Sequence, residues 1–560
     1  MKIKAIILAF ELLICVLLTG CLDSGGASPS ASLGTVNVSI TDGPGENYDH
    51  VWVTIKAISF HSDPNIVWSS SNASWRTTTL PTPVTLDLAN LTNGAVNQVF
   101  SGMQLPVGTY TQLRLFLAGF DDALTASALA AGLAYNDQVD YTDLSVSPNV
   151  AHHVPLEVAY PTQGIQLTGS FAVTTANSLN LALDFDLEHD LVTFAHNSEI
   201  YFTMKPSLRY FDLDQSGAIV GNLNPAQLCT SVVSSTCGYN LIVKAEILSG
   251  DGSRHIDTRS TRVQSDGSFS LYPLPSGTNY DVLIRGRNIE TMLIKGVPAP
   301  INSIPGNGAT ILSTTRAPMQ LNFNNSEYFA NFNASLMPTS GYAIFQETLP
   351  NSGNSFEVPY EVRWGNTNPY TGIMLTPMAL SSGPLHLASY LAGTPLAFSN
   401  VTPQEGLGNY VVAANGLPLT YYNVSTSTVN VMYPGTTNTL ATPLLFYPPS
   451  PMLNVTQGTV TGSITQTMGL YNSGYLVFSR FTNIVNSVDI SSSLIANTGT
   501  YSVTLPAGNL STTVPGAYYY GYLRVWNSSQ PKTTLKIIPF NSMIDLRNTN
   551  SISGFNIILP

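Results

Sequence analysis

From Gly34 onward, apolar and polar positions alternate with a period of two. Val36, Val38 and Ile40 alternate with Asn37 and Ser39, which predicts a strand with one buried face. Asp42-Gly43-Pro44-Gly45 ends it with turn-forming residues. Val51, Val53, Ile55 and Ala57 define one face of the next strand, and Leu113, Leu115 and Leu117 do the same in a later one. Between Leu181 and Leu191, Phe185 and Leu187 alternate with Asp184, Asp186, Glu188 and Asp190. A continuous strand there has a core side and a solvated acidic face. Ala and Leu are dense only around Leu124 to Ala131, where one short helix is predicted. The same strand-and-turn rhythm runs to Leu559. The pattern predicts an all-β chain of tandem sandwich domains.

The first residues depart from that rhythm. Lys2 and Lys4 precede an apolar run from Ala5 to Leu18, too short to span a bilayer comfortably. Glu11 weakens the run by about 2–3 kcal/mol on insertion scales. The run ends in Leu18-Thr19-Gly20-Cys21, which resembles the lipobox of bacterial lipoproteins. The resemblance implies a signal peptide over 1–20, cleavage before Cys21, and acyl chains of the palmitate kind on Cys21. Several chains anchor firmly where one alone is marginal. An ordinary secretory signal with a chance cysteine is the rival reading. Residues 21–33, rich in Ser, Gly and Pro, read as a flexible tether. The expected location is the cell envelope outside the cytoplasm. The outer membrane is favoured in a two-membrane host, because Leu22 is not the aspartate linked to inner-membrane retention.

Two further resemblances divide the body. Ser39 to Pro44 reads Ser-Ile-Thr-Asp-Gly-Pro, Leu105 to Leu115 begins Leu-Pro-Val-Gly-Thr-Tyr, and Leu183 to Asp186 reads Leu-Asp-Phe-Asp. Together these resemble the family called domain of unknown function 4382, over residues 34–212. The resemblance implies an envelope-associated β domain and brings no catalytic residues. Gly217 to Gly221, Asp266-Gly267-Ser268-Phe269-Ser270-Leu271 and Leu274 to Tyr280 look like the turns and strands of carboxypeptidase regulatory-like domains. That implies a transthyretin-like, Ig-like β-sandwich over 216–300. Gly458 to Gly462, Gly499 to Gly508 and Tyr518 to Trp526 echo it, which predicts a second such sandwich over 457–560. Between them, 320–450 is β-rich without a family resemblance. Tyr447-Pro448-Pro449-Ser450-Pro451 reads as a stiff linker at its end.

Charge narrows the partners. The 560 residues contain 21 Lys and Arg against 33 Asp and Glu, a net −12. Nucleic acid is excluded as a partner, since phosphate binding needs clustered cations. Beyond Cys15 and Cys21, Cys229 and Cys237 remain. An even pair in an oxidising compartment predicts a disulfide between them; two thiolates without nearby histidines fall short of a zinc set.

No nucleophile elbow, phosphate loop or zinc-protease motif is present. His152-His153 reads as a surface loop. The weak metal candidates are Asp184, Asp186 and Glu188, with Asp212 and Asp214 in a loop resembling the start of an EF-hand, and calcium is the cation they would suit. Leu223 stands where that loop needs its bidentate glutamate, so a polar turn is the plainer reading. Tyr518, Tyr519, Tyr520, Tyr522 and Trp526 are candidates for stacking on sugar rings, or for ordinary packing. No cofactor is implied. The leading expectation is a non-enzymatic, membrane-anchored lipoprotein that binds or adheres, with carbohydrate as ligand by fold analogy. The alternatives are a glycan hydrolase using carboxylates, and an assembly module that binds an envelope protein through its strand edges.

Overall fold

The computed structural model of the chain describes residues 32–43, 48–66, 68–119, 122–143, 150–158, 163–187, 191–196, 199–204, 208–228, 241–250, 255–285, 290–312, 318–321, 328–337, 341–351, 354–364, 373–380, 383–405, 410–416, 424–429, 437–439, 444–445, 456–480, 483–507, 518–529, 536–540, 542–546 and 548–559. The leader, Cys21, Glu188, Asp190, Cys229 and Cys237 lie outside the described residues.

The fold is all-β, built as successive pairs of sheets. The first unit holds β1 (Leu33–Thr41), β2 (His50–His61), β3 (Arg76–Asp87), β4 (Asn97–Pro106), β5 (Gly108–Leu117), β6 (Gln138–Asp143), β7 (Val150–Val158), β8 (Ile165–Val173), β9 (Leu179–Asp184), β10 (Leu191–His196), β11 (Glu199–Met204) and β12 (Arg209–Asp212). A four-stranded sheet runs β12-β9-β1-β4. An eight-stranded sheet runs β10-β11-β7-β6-β2-β5-β8, with β3 paired to β2. Val36, Val38, Ile40 and Leu183 from one sheet meet Val53, Phe60, Leu115 and Phe171 from the other in a single core. The short helix is present at Ala126–Ala130, capped by the Thr125 side chain.

Strand β2 departs from simple alternation. Its pairing slips between Ile55 and Ala57, against both β3 and β5. Against β5 the step from Ile55 to Ala57 faces the single step from Leu117 to Phe116, so β2 carries one extra residue, and this turns the strand over; against β3 the surplus lies on β3. Val51, Val53 and Ile55 reach the core as expected, but beyond the bulge Ile58 and Phe60 do so in place of Ala57.

The second unit holds β13 (Ser216–Asn222), β14 (Ile242–Leu248), β15 (His255–Arg262), β16 (Ser268–Pro275), β17 (Asn279–Arg285), β18 (Met292–Pro298) and β19 (Thr310–Ile311). One sheet runs β16-β13-β19. The other runs β15-β14-β17-β18 and is continued by strands Gly383–Ser389 and Ser399–Glu405. That hairpin comes from the middle of the segment expected to be separate. It is held by Leu385 and Leu387 packing on Leu283 and Leu293, and by His386 pairing with Glu290. The unit also runs past 300, since Leu312, Met319 and Leu321 complete its core.

A third pair of sheets is formed by strands Tyr328–Met337, Ile373–Leu380, Thr437–Thr439 and Leu444–Leu445, and by Gly341–Asn351, Asn354–Trp364, Tyr410–Gly416 and Val424–Val429. The last pair repeats the order of the second unit. Strand Thr456–Gln466 lies between Thr498–Ala507 and the short strands Ser551–Ile552 and Ile557–Leu559, as β13 lies between β16 and β19. Asn483–Asp489, Ser473–Arg480, Tyr518–Trp526 and Lys536–Pro539 follow one another as β15-β14-β17-β18 do. Register preserves a detail as well. Gly221 pairs across the ladder with Phe269, and Gly462 pairs with Tyr501. At Gly221 the Phe269 ring occupies the space a side chain on the glycine would need; at Gly462 the Phe555 backbone does so first, with Tyr501 Cε1 at 2.9 Å.

The first two units share another device. In the Leu-Pro turns, the Tyr110 hydroxyl donates to the Pro106 carbonyl at 2.9 Å, and the Tyr280 hydroxyl to the Pro275 carbonyl at 2.7 Å. Burial pushes the Tyr280 phenol up to about 12 from its ordinary 10.0. The neutral phenol is therefore the form the fold favours. Its contribution is complete below pH 10 and is lost as pH rises towards 12. Tyr280→Phe should cost about 0.5–1.5 kcal/mol in urea unfolding at neutral pH and reduce the alkaline loss of stability. An unchanged alkaline limb would mean another group controls it.

Candidate functional site

The parallel pairing of β1 and β9 brings two of the quoted motifs side by side, with Ile40 opposite Leu183 and Thr41 opposite Asp184. Both strands end there. Asp186 takes φ 51°, a left-handed conformation that aspartate tolerates better than most residues. This breaks the alternation on which a solvated acidic face depended. The strand expected from Leu181 to Leu191 stops at Asp184, and Asp184 is fully buried while Asp186 is 6% exposed.

Buried carboxylates need partners, and here two arginines supply them. Arg209 stands opposite Asp184 across the ladder. Its Nη2 lies 2.8 Å from Asp184 Oδ2 and 2.9 Å from Asp186 Oδ2. Arg259 enters from β15 of the second unit. Its Nη1 donates to Asp184 Oδ1 at 2.8 Å, and its Nη2 to Thr41 Oγ1 at 2.7 Å and to the Asp42 carbonyl at 2.8 Å. The guanidinium carbon sits 6.0 Å from the Phe211 ring centre. Asp42 accepts the Leu187 N–H through Oδ1 at 3.0 Å, and its Oδ2 has no hydrogen-bond partner among the described residues. Burial, and then the Asp184 charge, hold the Asp42 carboxyl well above the usual carboxylate range. Two carboxylates thus face two guanidiniums, with a third carboxyl pushed towards its neutral form.

This arrangement does not suit calcium binding or glycan hydrolysis by these acids. Arginine occupies the positions where calcium would need open oxygens. Among the described residues, no group of three or more His, Cys, Asp or Glu side chains is placed to hold a metal ion. The Asp184 and Asp186 side chains point into an ionic joint, not across a cleft as paired hydrolase acids must.

The other candidates are dispersed. The Asp212 side chain accepts the Asp214 N–H at 3.0 Å and caps a single turn, Leu213–Gln215, between the units. Asp214 is engaged by the Asn180 amide. His152 and His153 lie on β7, not in a loop, because they pair with Tyr141 and Asp140 of β6. They stay apart as neighbours on a strand must: His152 stacks on Tyr141 with ring centres 4.8 Å apart, and His153 Nδ1 lies 2.7 Å from Asp140. Tyr519 is in the core of the last unit, while Tyr522 and Trp526 are buried on the opposite strand face. Trp526 has the Arg524 guanidinium over its ring at 4.8 Å. These rings are used in packing.

Beside the ionic joint, β8, β12 and β15 border an open cleft of about 440 Å³, lined by Leu167, Thr168, Arg209, Tyr210, Phe211 and Thr258 among others. No local motif marks Arg209 or Arg259 in the sequence. The available signal was the scarcity of cations, which makes an arginine amid Thr258 and Ser260 on a strand unusual.

The family comparison falls on this same unit. Residues 33–206 match the model described as Domain of unknown function (DUF4382), so that part of the chain carries the family's domain. No curated protein matches the chain in sequence. Among solved structures, the Bacillus anthracis TIE protein is similar over 98% of this chain and 78% of its own, at 8% identity and a TM-score of 0.15. A putative adhesin from Bacteroides ovatus is similar over 42% of this chain and 94% of its own, at 8% identity and a TM-score of 0.14. The pilus adhesin SpaC from Lactobacillus rhamnosus GG covers 91% and 55%, at 10% identity and a TM-score of 0.14. Scores at this level do not define a common fold.

Proposed function

We propose that the chain is a non-enzymatic cell-envelope lipoprotein, anchored through Cys21, that displays tandem β-sandwich units for binding or adhesion. The observation that carries this reading is how the charges at the family motifs are spent. They join one unit to the next, which suits a scaffold that holds its units at a fixed angle. Carbohydrate is the ligand class we favour. The cleft beside the joint, with Tyr210, Phe211, Thr168 and Thr258 in its lining, combines the aromatic and hydroxyl groups a neutral sugar uses. Assignment of 216–300 and 457–560 to the carboxypeptidase regulatory-like family belongs to the same proposal, supported by their shared strand order. So does the disulfide between Cys229 and Cys237.

Pairing with a protein through a strand edge has less support. The long edge strand β3 carries Pro81 and Pro83, which lack the N–H such pairing needs.

The test is a glycan array probed with the soluble chain from residue 34, with calcium and again with chelator. Saturable binding to one sugar class in both conditions, abolished by Thr258→Trp in the cleft, is the expected result. Silence in both conditions would remove carbohydrate. Loss with chelator alone would restore a metal site.

A further inference from the structure

We infer that the first unit carries a guanidinium socket, built from the Ser39–Pro44 and Leu183–Asp186 segments, and that Arg259 of the following unit is its occupant and couples the two units. Every acceptor belongs to the first unit and the donor to the second, 75 to 218 residues away. The acceptors match the shape of a guanidinium. A carboxylate oxygen takes one Nη, a hydroxyl and a carbonyl take the other, and the guanidinium carbon lies over the Phe211 ring. An ammonium is a compact point charge without that spread of donors or that face.

The socket is also held from behind. The second oxygen of Asp184 is bound by Arg209, Asp42 is fixed by the Leu187 N–H, and the two strand ends are in parallel register. These contacts do not involve Arg259, so the acceptors keep their places when it is removed. Around the socket the surfaces fit closely. The Asn93 N–H donates to Thr261 Oγ1 of β15 at 3.0 Å, and a side chain on Gly94 would come within 2.7 Å of Ser270 Oγ.

The experiment uses the chain carrying Arg259→Ala, with methylguanidinium and methylammonium as probes in calorimetry, and amide exchange at Asn93 as the second readout. The expected result is saturable methylguanidinium binding to the variant, none to the wild type whose socket is filled, and none of methylammonium to either. Asn93 should lose exchange protection in the variant while amides in β13 and β16 keep theirs. Equal binding of the two cations, or of methylguanidinium to variant and wild type, would overturn the socket. Unchanged Asn93 protection would overturn the coupling. If the alanine variant does not fold, Arg259→Lys keeps the charge and loses the fork. It should still weaken Asn93 protection, and wild-type protection in that variant would equally overturn the inference.

Discussion

Replacing Asp184 by alanine should destabilise the first unit by about 3–5 kcal/mol, the cost typical of breaking a buried ion pair from one side. Asp184 is fully buried and serves two guanidiniums, one on each oxygen. The Arg209 side chain is 38% exposed and can turn towards water, but that of Arg259 is 2% exposed and cannot do so without the units parting. The loss therefore comes mainly from a stranded Arg259. Asp184→Asn should cost less, because an amide oxygen still accepts one hydrogen bond. Removing both members, Asp184→Ala with Arg259→Met, should recover part of the loss, since an apolar pair strands no charge. Urea unfolding of the four proteins gives the comparison. A loss below about 0.5 kcal/mol for Asp184→Ala would place that carboxylate in water after all. Asp266 is the control: an exposed carboxylate whose partners are within its own turn, where Asp266→Asn should be much milder.

Gly462→Ala should be the second most damaging change, in the last unit. A Cβ built there would lie 1.9 Å from the Phe555 carbonyl oxygen and 2.6 Å from its carbon. Backbone cannot rotate aside as a side chain can. The strand or its parallel neighbour must move, and overpacking of this kind costs about 1–3 kcal/mol or more. The equivalent position in the second unit is a graded comparison. At Gly221 the obstruction is the ring of Phe269, with Cζ at 2.2 Å, and a side chain has some room to yield. Gly462→Ala should therefore lower the melting temperature of its unit more than Gly221→Ala lowers that of its own. The reverse order would show that the Phe555 segment is easily displaced.

Much of the architecture was legible because period-two patterning is local. The faces containing Val36, Val38 and Ile40, and Leu113, Leu115 and Leu117, came directly from alternation. The shared strand order of the second and last units is marked in the sequence by short glycine and proline motifs, which mark turns wherever they occur. What escaped was set by single backbone irregularities. Nothing in Ile55-Lys56-Ala57 announces a bulge, so simple alternation places Ala57 on a face that Ile58 takes. Nothing in Asp-Phe-Asp fixes Asp186 in a left-handed conformation, so the alternating pattern runs on past the true end of the strand. The joint was less legible still. Its acids stand as a group in the sequence, but the reason for them lies in Arg259, in another unit, and long-range pairing leaves no local motif.

The hairpin at 383–405 belongs to the second unit's sheet, while the strands before and after it belong to the third pair. The backbone therefore leaves one neighbour, returns to it, and leaves again. Two modules laced together in this way cannot be separated by a single cut. A break between 312 and 382 takes from the second unit part of its own sheet, and a break after 405 divides the third pair. Recombination that shuffles modules along a gene would have to move both at once, so residues 216–445 form one heritable block, although their strands make four separate sheets.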